Sequence, residues 1–352
     1  MLKNNNKISA IDAMTAAQKI AFAPIAFQAV RTAWKTGLLK AVSEFNDAGA
    51  TPKQITTKLT IDKYGVKILL DMLENADVVV KCDDNYKLTK IGDYILYDPM
   101  TQVNFNFTND VCYQAAFHLL ESIETGKPEG LRVFGDYETI YKALQFLSEQ
   151  AKKSWFDFDH FYSDRSFDDA LEHVFKTSPG KILDIGGNTG KWALKCLRYN
   201  ADVEIIIADL PGQLNVARKN IEEAGFADRV TYCEIDILDK KSSLYQGVDV
   251  VWMSQFLDCF SESEIISILE RVKETLLPNG TIFILEHFPD RQFYEAAEYS
   301  LNATSLYFTY LANGNSRMYQ SDDFYEILKK AGLEIDDIKD RIGFDHTLLS
   351  CR

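Results

Sequence analysis

Residues 182–197, "ILDIGGNTGKWALKCL", run from a short apolar strand through a glycine turn into a helical pattern. Such turns bring the backbone close to a ligand, which can be a phosphate, a dinucleotide or an adenosyl group without a phosphate. A dinucleotide fingerprint ending at Gly190 requires glycine at position 185, where the chain has Ile185. A P-loop requires Ser or Thr after the lysine, where the chain has Trp192. Both phosphate-binding interpretations are therefore disfavoured.

An acid stands just before the glycines, in the pattern Asp184-x-Gly186-Gly187-x-x-Gly190. A carboxylate beside the turn repels a pyrophosphate and suits a ligand that carries positive charge. The ammonium and the sulfonium of S-adenosylmethionine are two such charges. The turn therefore favours an adenosyl cofactor.

From Lys181 onward, apolar strand-like runs alternate with helical runs, which is typical of a parallel, doubly wound sheet. The predicted strands are "KILDI", "EIIIADL", "VTYCEIDI", "DVVWMSQ" and "TIFILEH", and the tail adds one helix and two strands. Ligands of such sheets bind at the carboxyl ends of the strands. Asp209 ends the second strand and Asp236 the third, where they can reach ribose hydroxyls and an adenine amino group.

Composition favours a small-molecule partner. The 352 residues suffice for two domains, and the net charge of −14 disfavours nucleic acid or an anionic membrane as partner. The six cysteines form no C-x-x-C pair, so we predict a reducing, cytoplasmic compartment and no metal site. The apolar run at residues 20–30 contains Pro24 and is too short to span a bilayer.

The pattern of residues 1–100 predicts helices followed by a two-stranded hairpin, as in a winged-helix module. Thr51 and Pro52 are a helix-start signal, and the acidic turn at residues 82–85 joins the two strands. The segment holds 13 Lys and Arg against 11 Asp and Glu, a balance of +2, whereas the other 252 residues carry −16. Because a net charge of +2 is too small to bind the phosphates of DNA strongly, we expect this segment to dimerise or to pack rather than to bind DNA.

Several motifs occur together in one order: "ILDIGGNTG", "ADLPG", "FLDCFSESE", "ILEHFPD" and "SRMYQSDDFYEILKKAGLE". In this order they resemble the S-adenosylmethionine-dependent O-methyltransferase family that includes plant phenol-methylating and bacterial polyketide-tailoring enzymes. The N-terminal "TPKQITTKL" and "YKLTKIGDYIL" resemble the winged-helix dimerisation domain of that family, and "LLESIETGKPEGLRVFG" resembles its linker helices. The resemblance covers nearly the whole chain.

The resemblance implies an α/β fold, with a Rossmann-like doubly wound methyltransferase domain preceded by a mainly helical winged-helix dimerisation domain, and a homodimer. The predicted domains are residues 1–100 for dimerisation, 101–175 for a helical linker and acceptor-pocket segment, and 176–352 for cofactor binding and catalysis. Asn188 replaces a glycine common in the family, which asparagine can do because it tolerates left-handed backbone angles. The residues expected to hold S-adenosylmethionine are Asp184, Gly186, Gly187, Gly190, Asp209, Leu210, Asp236, Ile237 and Ser254.

One position departs from the family pattern. Asp258 stands where O-methylating members have the histidine that deprotonates the acceptor, and Glu286 matches the supporting glutamate. An ordinary Asp with a pKa near 4 lies about 6 units below a phenol near 10, roughly 8 kcal/mol for complete proton transfer. Three outcomes stay open: Asp258 is the base, another histidine replaces it, or the acceptor needs no strong base. We predict Asp258 and Glu286 as catalytic residues.

The acceptor pocket is predicted from the aromatic helical segment and the strand end near residue 255. His118 and His160 lie in the first, and Met253 and Phe256 flank the second. His287 follows Glu286 in a predicted strand, so the two side chains are expected to face opposite ways.

These observations support methyl transfer from S-adenosylmethionine to a hydroxyl of a small aromatic acceptor. Two alternatives stay open. One is the same scaffold with drifted chemistry, such as cofactor-assisted hydroxylation or decarboxylation. The other is a non-catalytic winged-helix protein that senses the ligand.

Overall fold

The computed structural model describes residues 8–352 and divides into two compact units, Met1–Asn106 and Phe107–Arg352. The division follows Asn106, whereas the domain boundaries at 100 and 175 stay predictions. Within the described residues, every helix falls short of the length and apolar character that a membrane span requires.

The first unit is mainly helical with one antiparallel hairpin, as the sequence predicts. Its helices, the last of which contains the division, are α1 (Ala10–Ala21), α2 (Ala23–Lys35), α3 (Leu38–Ser43), α4 (Pro52–Thr56), α5 (Lys63–Asn75), α6 (Lys90–Tyr97) and α7 (Pro99–Phe107). The hairpin pairs β1 (Val79–Cys82) with β2 (Asn85–Leu88).

Local sequence signals explain the start of α4 and the hairpin turn. The Thr51 hydroxyl accepts a hydrogen bond from the Gln54 backbone N–H, and the Gln54 side chain in turn accepts one from the Thr51 backbone N–H. This capping box satisfies donors that a helix start otherwise leaves unpaired. Asp83 takes a positive φ of 55° in the turn of the hairpin, a conformation that Asp tolerates better than most residues. The core of this unit includes Leu39, Leu70 and other fully buried apolar side chains.

The second unit is built on a seven-stranded sheet. Its strands are β3 (Lys181–Ile185), β4 (Glu204–Asp209), β5 (Val230–Glu234), β6 (Val248–Ser254), β7 (Leu276–Glu286), β8 (Ile335–Ile342) and β9 (His346–Cys351). They lie in the order β5-β4-β3-β6-β7-β9-β8. Strands β3 to β7 are parallel to one another, and β9 pairs antiparallel with both β7 and β8. This is the doubly wound sheet that the alternating pattern predicts.

Helices cover both faces of this sheet because alternate residues of its central strands are apolar on either side. The helices of this unit are α8 (Leu119–Thr125), α9 (Ile140–Ala143), α10 (Glu149–Ser163), α11 (Phe167–Val174), α12 (Lys191–Tyr199), α13 (Pro211–Glu223), α14 (Glu262–Lys273), α15 (Glu295–Tyr307) and α16 (Ser321–Lys330). Leu183 joins a core with α14 and α16, whereas its neighbour Ile182 joins the opposite core with α11, α12 and α13.

The strand order reverses between β3 and β6, because β3 leads to β4 on one side and pairs with β6 on the other. Such a reversal leaves a crevice at the carboxyl ends of the strands, where ligands of this fold class bind. Helix α15 continues into a π-helical turn, Phe308–Ala312, whose first residue lines the same crevice.

Candidate active site

A cavity of about 350 Å³ lies at the carboxyl ends of β3, β4 and β6. The lining residues at the strand ends and in the loops that follow them, here called the strand-end wall, include Asp184, Gly186, Gly187, Asp209, Asp236 and Ser254. The lining residues from the helices and the 257–259 turn, here called the aromatic wall, include Tyr141, Trp155, Phe158, Asp159, Asp258, Tyr307 and Phe308.

The glycine turn fits closely between its neighbours. Gly186 has φ +74°, and a Cβ atom there would lie 2.3 Å from a ring carbon of Phe256. A Cβ atom on Gly187 would lie 2.7 Å from Ile207 and 2.9 Å from the carboxylate of Asp184. Only a residue without a side chain leaves the backbone of this turn exposed to the cavity.

Asp209 is held by the turn itself. Its Oδ2 accepts the backbone N–H of Asn188 at 2.8 Å, and its Oδ1 accepts that of Leu210 at 2.7 Å. Asn188 has φ +49°, the left-handed conformation expected for this position. Burial raises the pKa of Asp209 to about 6, against the lowering effect of the two backbone donors.

Asp184 lies beneath the glycines and is 2% exposed. Among residues 8–352, its Oδ2 has no hydrogen-bond partner, and the same holds for the buried hydroxyl of Ser254. Burial, followed by the nearby charge of Asp209, raises the pKa of Asp184 well above its usual range. Buried polar atoms without partners at a cavity wall are atoms that a ligand can satisfy.

Asp236 lies in a loop rather than at the end of a strand, which corrects the sequence prediction. Strand β5 ends at Glu234, and although the Ile235 N–H still donates to the Asp209 carbonyl at 3.0 Å, Asp236 lies beyond the strand in the cavity wall. Its carboxylate is half-exposed and lies 3.9 Å from Nζ of Lys142. Leu210 and Ile237 line the cavity beside it. Gly190 does not line the cavity; it has φ +78° and begins α12 as its N-cap residue.

An adenosyl cofactor fits this wall. The glycine turn exposes backbone, Asp209 presents a fixed carboxylate, and the unpartnered oxygens of Asp184 and Ser254 are available to a ligand. The acids of the wall also suit a ligand with cationic groups.

Asp258 is 6% exposed and lies on the short 3₁₀ turn Leu257–Cys259. The Cys259 thiol contacts its Oδ1, at an Sγ–Oδ1 distance of 3.4 Å. Burial raises the pKa of Asp258 to about 6. A carboxylate with this pKa stays mostly ionised at pH 7 and is a stronger base than an exposed Asp.

Glu286 does not line the cavity, although the sequence predicts it as a catalytic residue. Its Oε1 accepts the backbone N–H groups of Phe256 and Leu257 at 3.0 and 2.8 Å. Burial, and then the charge of Asp258, raise the pKa of Glu286 well above its usual range. Glu286 therefore holds the backbone of the loop that carries Asp258.

Two residues predicted for the acceptor pocket lie elsewhere. His118 is half-buried outside the cavity, where Nδ1 lies 3.4 Å from Glu121. Met253 is fully buried in the core that Leu183 joins, because its position on β6 points the side chain into the helix layer. His160 and Phe256 do line the cavity.

His287, directly after β7, and His346, on β9, do not line the cavity. His287 packs against His346 with ring centroids 3.6 Å apart, whereas Glu286 faces the 256–257 loop. Opposite orientation of Glu286 and His287 is what alternation along a strand predicts. His287 is therefore no substitute for the missing imidazole.

Sequence reasoning missed Tyr141, Asp159 and Asn313. Asp159 accepts a hydrogen bond from the Asn188 side-chain amide at 3.0 Å, and the Asn313 side-chain amide donates to the Cys259 carbonyl. The four-residue period of α10, which also places Trp155 in the cavity wall, is the one signal that could have indicated Asp159.

Family comparison fits this geometry. Residues 118–334 match the O-methyltransferase domain family, and residues 14–86 match the Dimerisation2-like domain. The chain belongs to the O-methyltransferase domain family. It is an S-adenosylmethionine-dependent methyltransferase, and the predicted cofactor is confirmed.

Relatives of this methyltransferase include both O- and C-methylating enzymes. L-tyrosine C(3)-methyltransferase of Streptomyces lavendulae is 24% identical over 317 residues, 89% of this chain and 85% of that protein. 3-Amino-4-hydroxybenzoate 4-O-methyltransferase of Streptomyces cremeus is 23% identical over 320 residues, 88% of this chain and 82% of that protein. The solved structure of mitomycin 7-O-methyltransferase has a TM-score of 0.74 at 16% identity and covers 97% of both chains, which shows the same fold.

When bound, S-adenosylmethionine supplies the methyltransferase with a methyl group already activated on a sulfonium. The chain itself has to align an acceptor and remove a proton. The aromatic wall can hold a ring, since the Trp155 indole N–H donates to the Tyr307 hydroxyl at 2.9 Å and fixes both side chains. Asp258 lies in the same wall and can take a proton there.

Proposed function

We propose that this methyltransferase methylates a hydroxyl of a small aromatic acceptor, with Asp258 as the general base. The observation that carries the proposal is the place of Asp258: it is a buried carboxylate in the wall of the same cavity that the glycine turn lines. Among the cavity-lining residues, His160 is the one imidazole, and it lies beside Asp159 and Asp164.

Burial makes the Asp258 carboxylate a better base than an exposed aspartate. With a pKa of about 6, it lies about 4 units below a phenol near 10, instead of about 6. The cost of complete proton transfer falls from roughly 8 to roughly 5 kcal/mol. Glu286 supports this arrangement by fixing the backbone of the 256–257 loop.

On the strand-end wall, Asp209 would bind the ribose hydroxyls and Asp236 the adenine amino group. Gly186 and Gly187 would bring the backbone close to the cofactor, and Leu210, Ile237 and Ser254 would complete its site. The Dimerisation2-like match supports a homodimer formed through residues 1–100 rather than DNA binding. A cytoplasmic location stays the prediction from cysteine usage.

Methylation of a ring carbon is a second candidate, favoured by the relative named as an L-tyrosine C(3)-methyltransferase. A phenol that has lost its proton is nucleophilic at its oxygen and at the neighbouring ring carbons. O-methylation releases the hydroxyl proton, whereas C-methylation finally releases a ring proton. Asp258 can serve as the base in either reaction, so the acceptor's placement against the aromatic wall decides the outcome.

The test is an acceptor screen with S-adenosylmethionine carrying a ¹³C-labelled methyl group. L-tyrosine and 3-amino-4-hydroxybenzoate are included because relatives are named for them, and tyramine and 4-ethylphenol are included as phenols without a carboxylate. Mass spectrometry detects the transferred methyl, and ¹³C NMR distinguishes an O-methyl from a C-methyl product. An O-methyl product supports the proposal, and a C-methyl product supports the second candidate. Conversion of an acceptor without label would instead support the drifted chemistry.

A further inference from the structure

The aromatic wall contains carboxylates, and its basic side chains each lie next to an acid. Asp159 on α10 and Asp258 on the 257–259 turn lie among Tyr141, Trp155, Phe158 and other rings. The charges of this wall therefore indicate the charge of the acceptor, which membership of the family does not specify.

The two lysines of the cavity are already paired. Lys191 donates to Asp164 at 2.5 Å, and Lys142 donates to Glu138. Along the described part of the chain, no arginine lines the cavity. The His160 imidazole also lines the cavity, but it lies beside Asp159 and Asp164. A carboxylate-bearing acceptor would therefore meet Asp159 and Asp258 with each basic group of the cavity already next to an acid, and like charges in a low-dielectric site repel strongly.

Asp159 is the carboxylate best placed to bind a cation. Its side chain is 24% exposed and its Oδ2 accepts the Asn188 amide at 3.0 Å, while Nδ1 of His160 lies 3.8 Å away. Burial is the main cause that raises the pKa of Asp159. The charges of Asp164 and Asp258 also raise this pKa, whereas those of His160 and Lys191 lower it. A cationic ligand would relieve this concentration of negative charge.

Resting on the proposed function, we propose that the acceptor is an arylalkylamine whose ammonium pairs with Asp159 while its hydroxyl faces Asp258. The rings of Trp155 and Phe158 would pack against the aromatic ring of the acceptor. A rival role for Asp159 follows from its bond to Asn188 in the glycine turn: the carboxylate could serve the ammonium of the cofactor instead.

The experiment is a calorimetric titration of the full chain saturated with S-adenosylhomocysteine. Three probes of similar shape are compared: tyramine, which is cationic; 4-ethylphenol, which is neutral; and 3-(4-hydroxyphenyl)propionate, which is anionic. Asp159→Asn removes the charge and keeps the size. The control is Asp157→Asn, because Asp157 lies on the same helix, pairs with Lys153 and does not line the cavity.

Tyramine is expected to bind about 10- to 100-fold more tightly than 4-ethylphenol, as is usual for one charge-assisted hydrogen bond, and the anionic probe more weakly than both. Asp159→Asn is expected to abolish the preference for tyramine and to leave the S-adenosylhomocysteine Kd within about twofold, whereas Asp157→Asn keeps both. Absence of tyramine binding, equal binding of the probes or a preference for the anion would overturn the proposal. So would a loss of cofactor affinity in Asp159→Asn with the preference retained.

This binding measurement is independent of methyl transfer. If tyramine binds through Asp159 but receives no labelled methyl group, the proposal of a cationic acceptor stands and methylation of this ring is refuted. If labelled product forms from neutral phenols with no dependence on Asp159, the proposed function stands and the proposal of a cationic acceptor is refuted.

Discussion

The two walls of the cavity hold their carboxylates in different ways. On the strand-end wall, Asp209 accepts two backbone N–H groups at 2.8 and 2.7 Å. On the aromatic wall, Asp258 is contacted by the Cys259 thiol at 3.4 Å, and none of residues 8–352 donates a backbone N–H to it. Burial nevertheless raises the pKa of both carboxylates to about 6. The fold thus satisfies the first carboxylate before any ligand arrives and leaves the second to interact with the acceptor.

The largest expected effect comes from the loosely held carboxylate. Asp258→Asn keeps the size of the side chain but removes the base, so kcat should fall about 10²- to 10⁴-fold, the usual contribution of general base catalysis. The S-adenosylhomocysteine Kd should stay within about twofold, because Asp209 and the glycine turn are unchanged. Measurement of kcat by labelled methyl transfer, with Kd by calorimetry, checks both.

Asp258→His should restore part of the kcat that Asp258→Asn loses, since it supplies an imidazole with an ordinary pKa near 6.5.

In the unchanged chain, kcat at saturating cofactor should fall tenfold per pH unit below about 6, because the base must be ionised and its pKa is about 6. A kcat that is flat from pH 5 to 8, or an Asp258→Asn variant with full activity, would show that the acceptor needs no base here.

The next effect concerns the strand-end wall and is expected in binding rather than in kcat. Gly186→Ala places a Cβ atom 2.3 Å from the Phe256 ring at φ +74°, so either the turn or the ring must move. We expect the S-adenosylhomocysteine Kd to rise about 100-fold, because displaced backbone no longer approaches the cofactor closely. Calorimetry measures the Kd, and circular dichroism checks that the variant is folded.

Gly126→Ala is the matched control for backbone strain. Gly126 also has a positive φ of +66°, but a Cβ atom there meets nothing within 4 Å. The control should lose a similar amount of stability through strain and keep its cofactor affinity. Equal weakening in both variants would mean that strain, and not close approach to the cofactor, explains the effect at Gly186.

The strand-end wall could be predicted from the sequence because its parts are local. Asp184 and the glycines lie within seven residues, and Asp209 ends the next strand of a parallel sheet, whose carboxyl ends meet at one edge. The error at Asp236 is one of strand length, since apolar alternation continues to Ile237, whereas strand β5 ends at Glu234 with one further bond from the Ile235 N–H to the Asp209 carbonyl. The seven-stranded sheet and the hairpin of the first unit were predictable for the same local reasons.

The aromatic wall could be predicted only in part, because it is assembled from segments far apart in the chain. Trp155 and Tyr307 are joined by a hydrogen bond across 152 positions, and nothing in the local pattern pairs them. The direction of a side chain on such helices depends on packing. The sequence pattern therefore predicts His118 in the pocket, which it does not line, and does not predict Asp159, which lines it. Asp258 was predictable because it sits at one position of a recognised motif.

The smallest expected effect is a change in the free energy of unfolding, which compares the carboxylates of the two walls. The pKa of Asp258 is about 6 in the folded chain and near 3.9 when unfolded, so the folded state binds more protons between these values. Ionisation of Asp258 therefore destabilises the fold as pH rises from about 4 to 6, by at most about 3 kcal/mol. Asp258→Asn should raise the free energy of unfolding by about 1–3 kcal/mol at pH 7 and by almost nothing near pH 4.

Asp209 has the same raised pKa, but its two oxygens each accept a backbone N–H. Asp209→Asn removes the buried charge and also leaves one N–H facing an amide NH₂ group, which costs about 1–3 kcal/mol and offsets the gain. The measurement is urea unfolding of the apo protein at pH 4 and pH 7. At pH 7, Asp258→Asn should be more stable than the unchanged chain, whereas Asp209→Asn should not. The surface control Asp157→Asn should stay within about 0.5 kcal/mol of the unchanged chain. Equal stabilisation by both substitutions would mean that the backbone donors at Asp209 do not distinguish the walls. Stabilisation of Asp258→Asn alone would show that the aromatic wall gives up folding free energy to keep a charge ready for the acceptor.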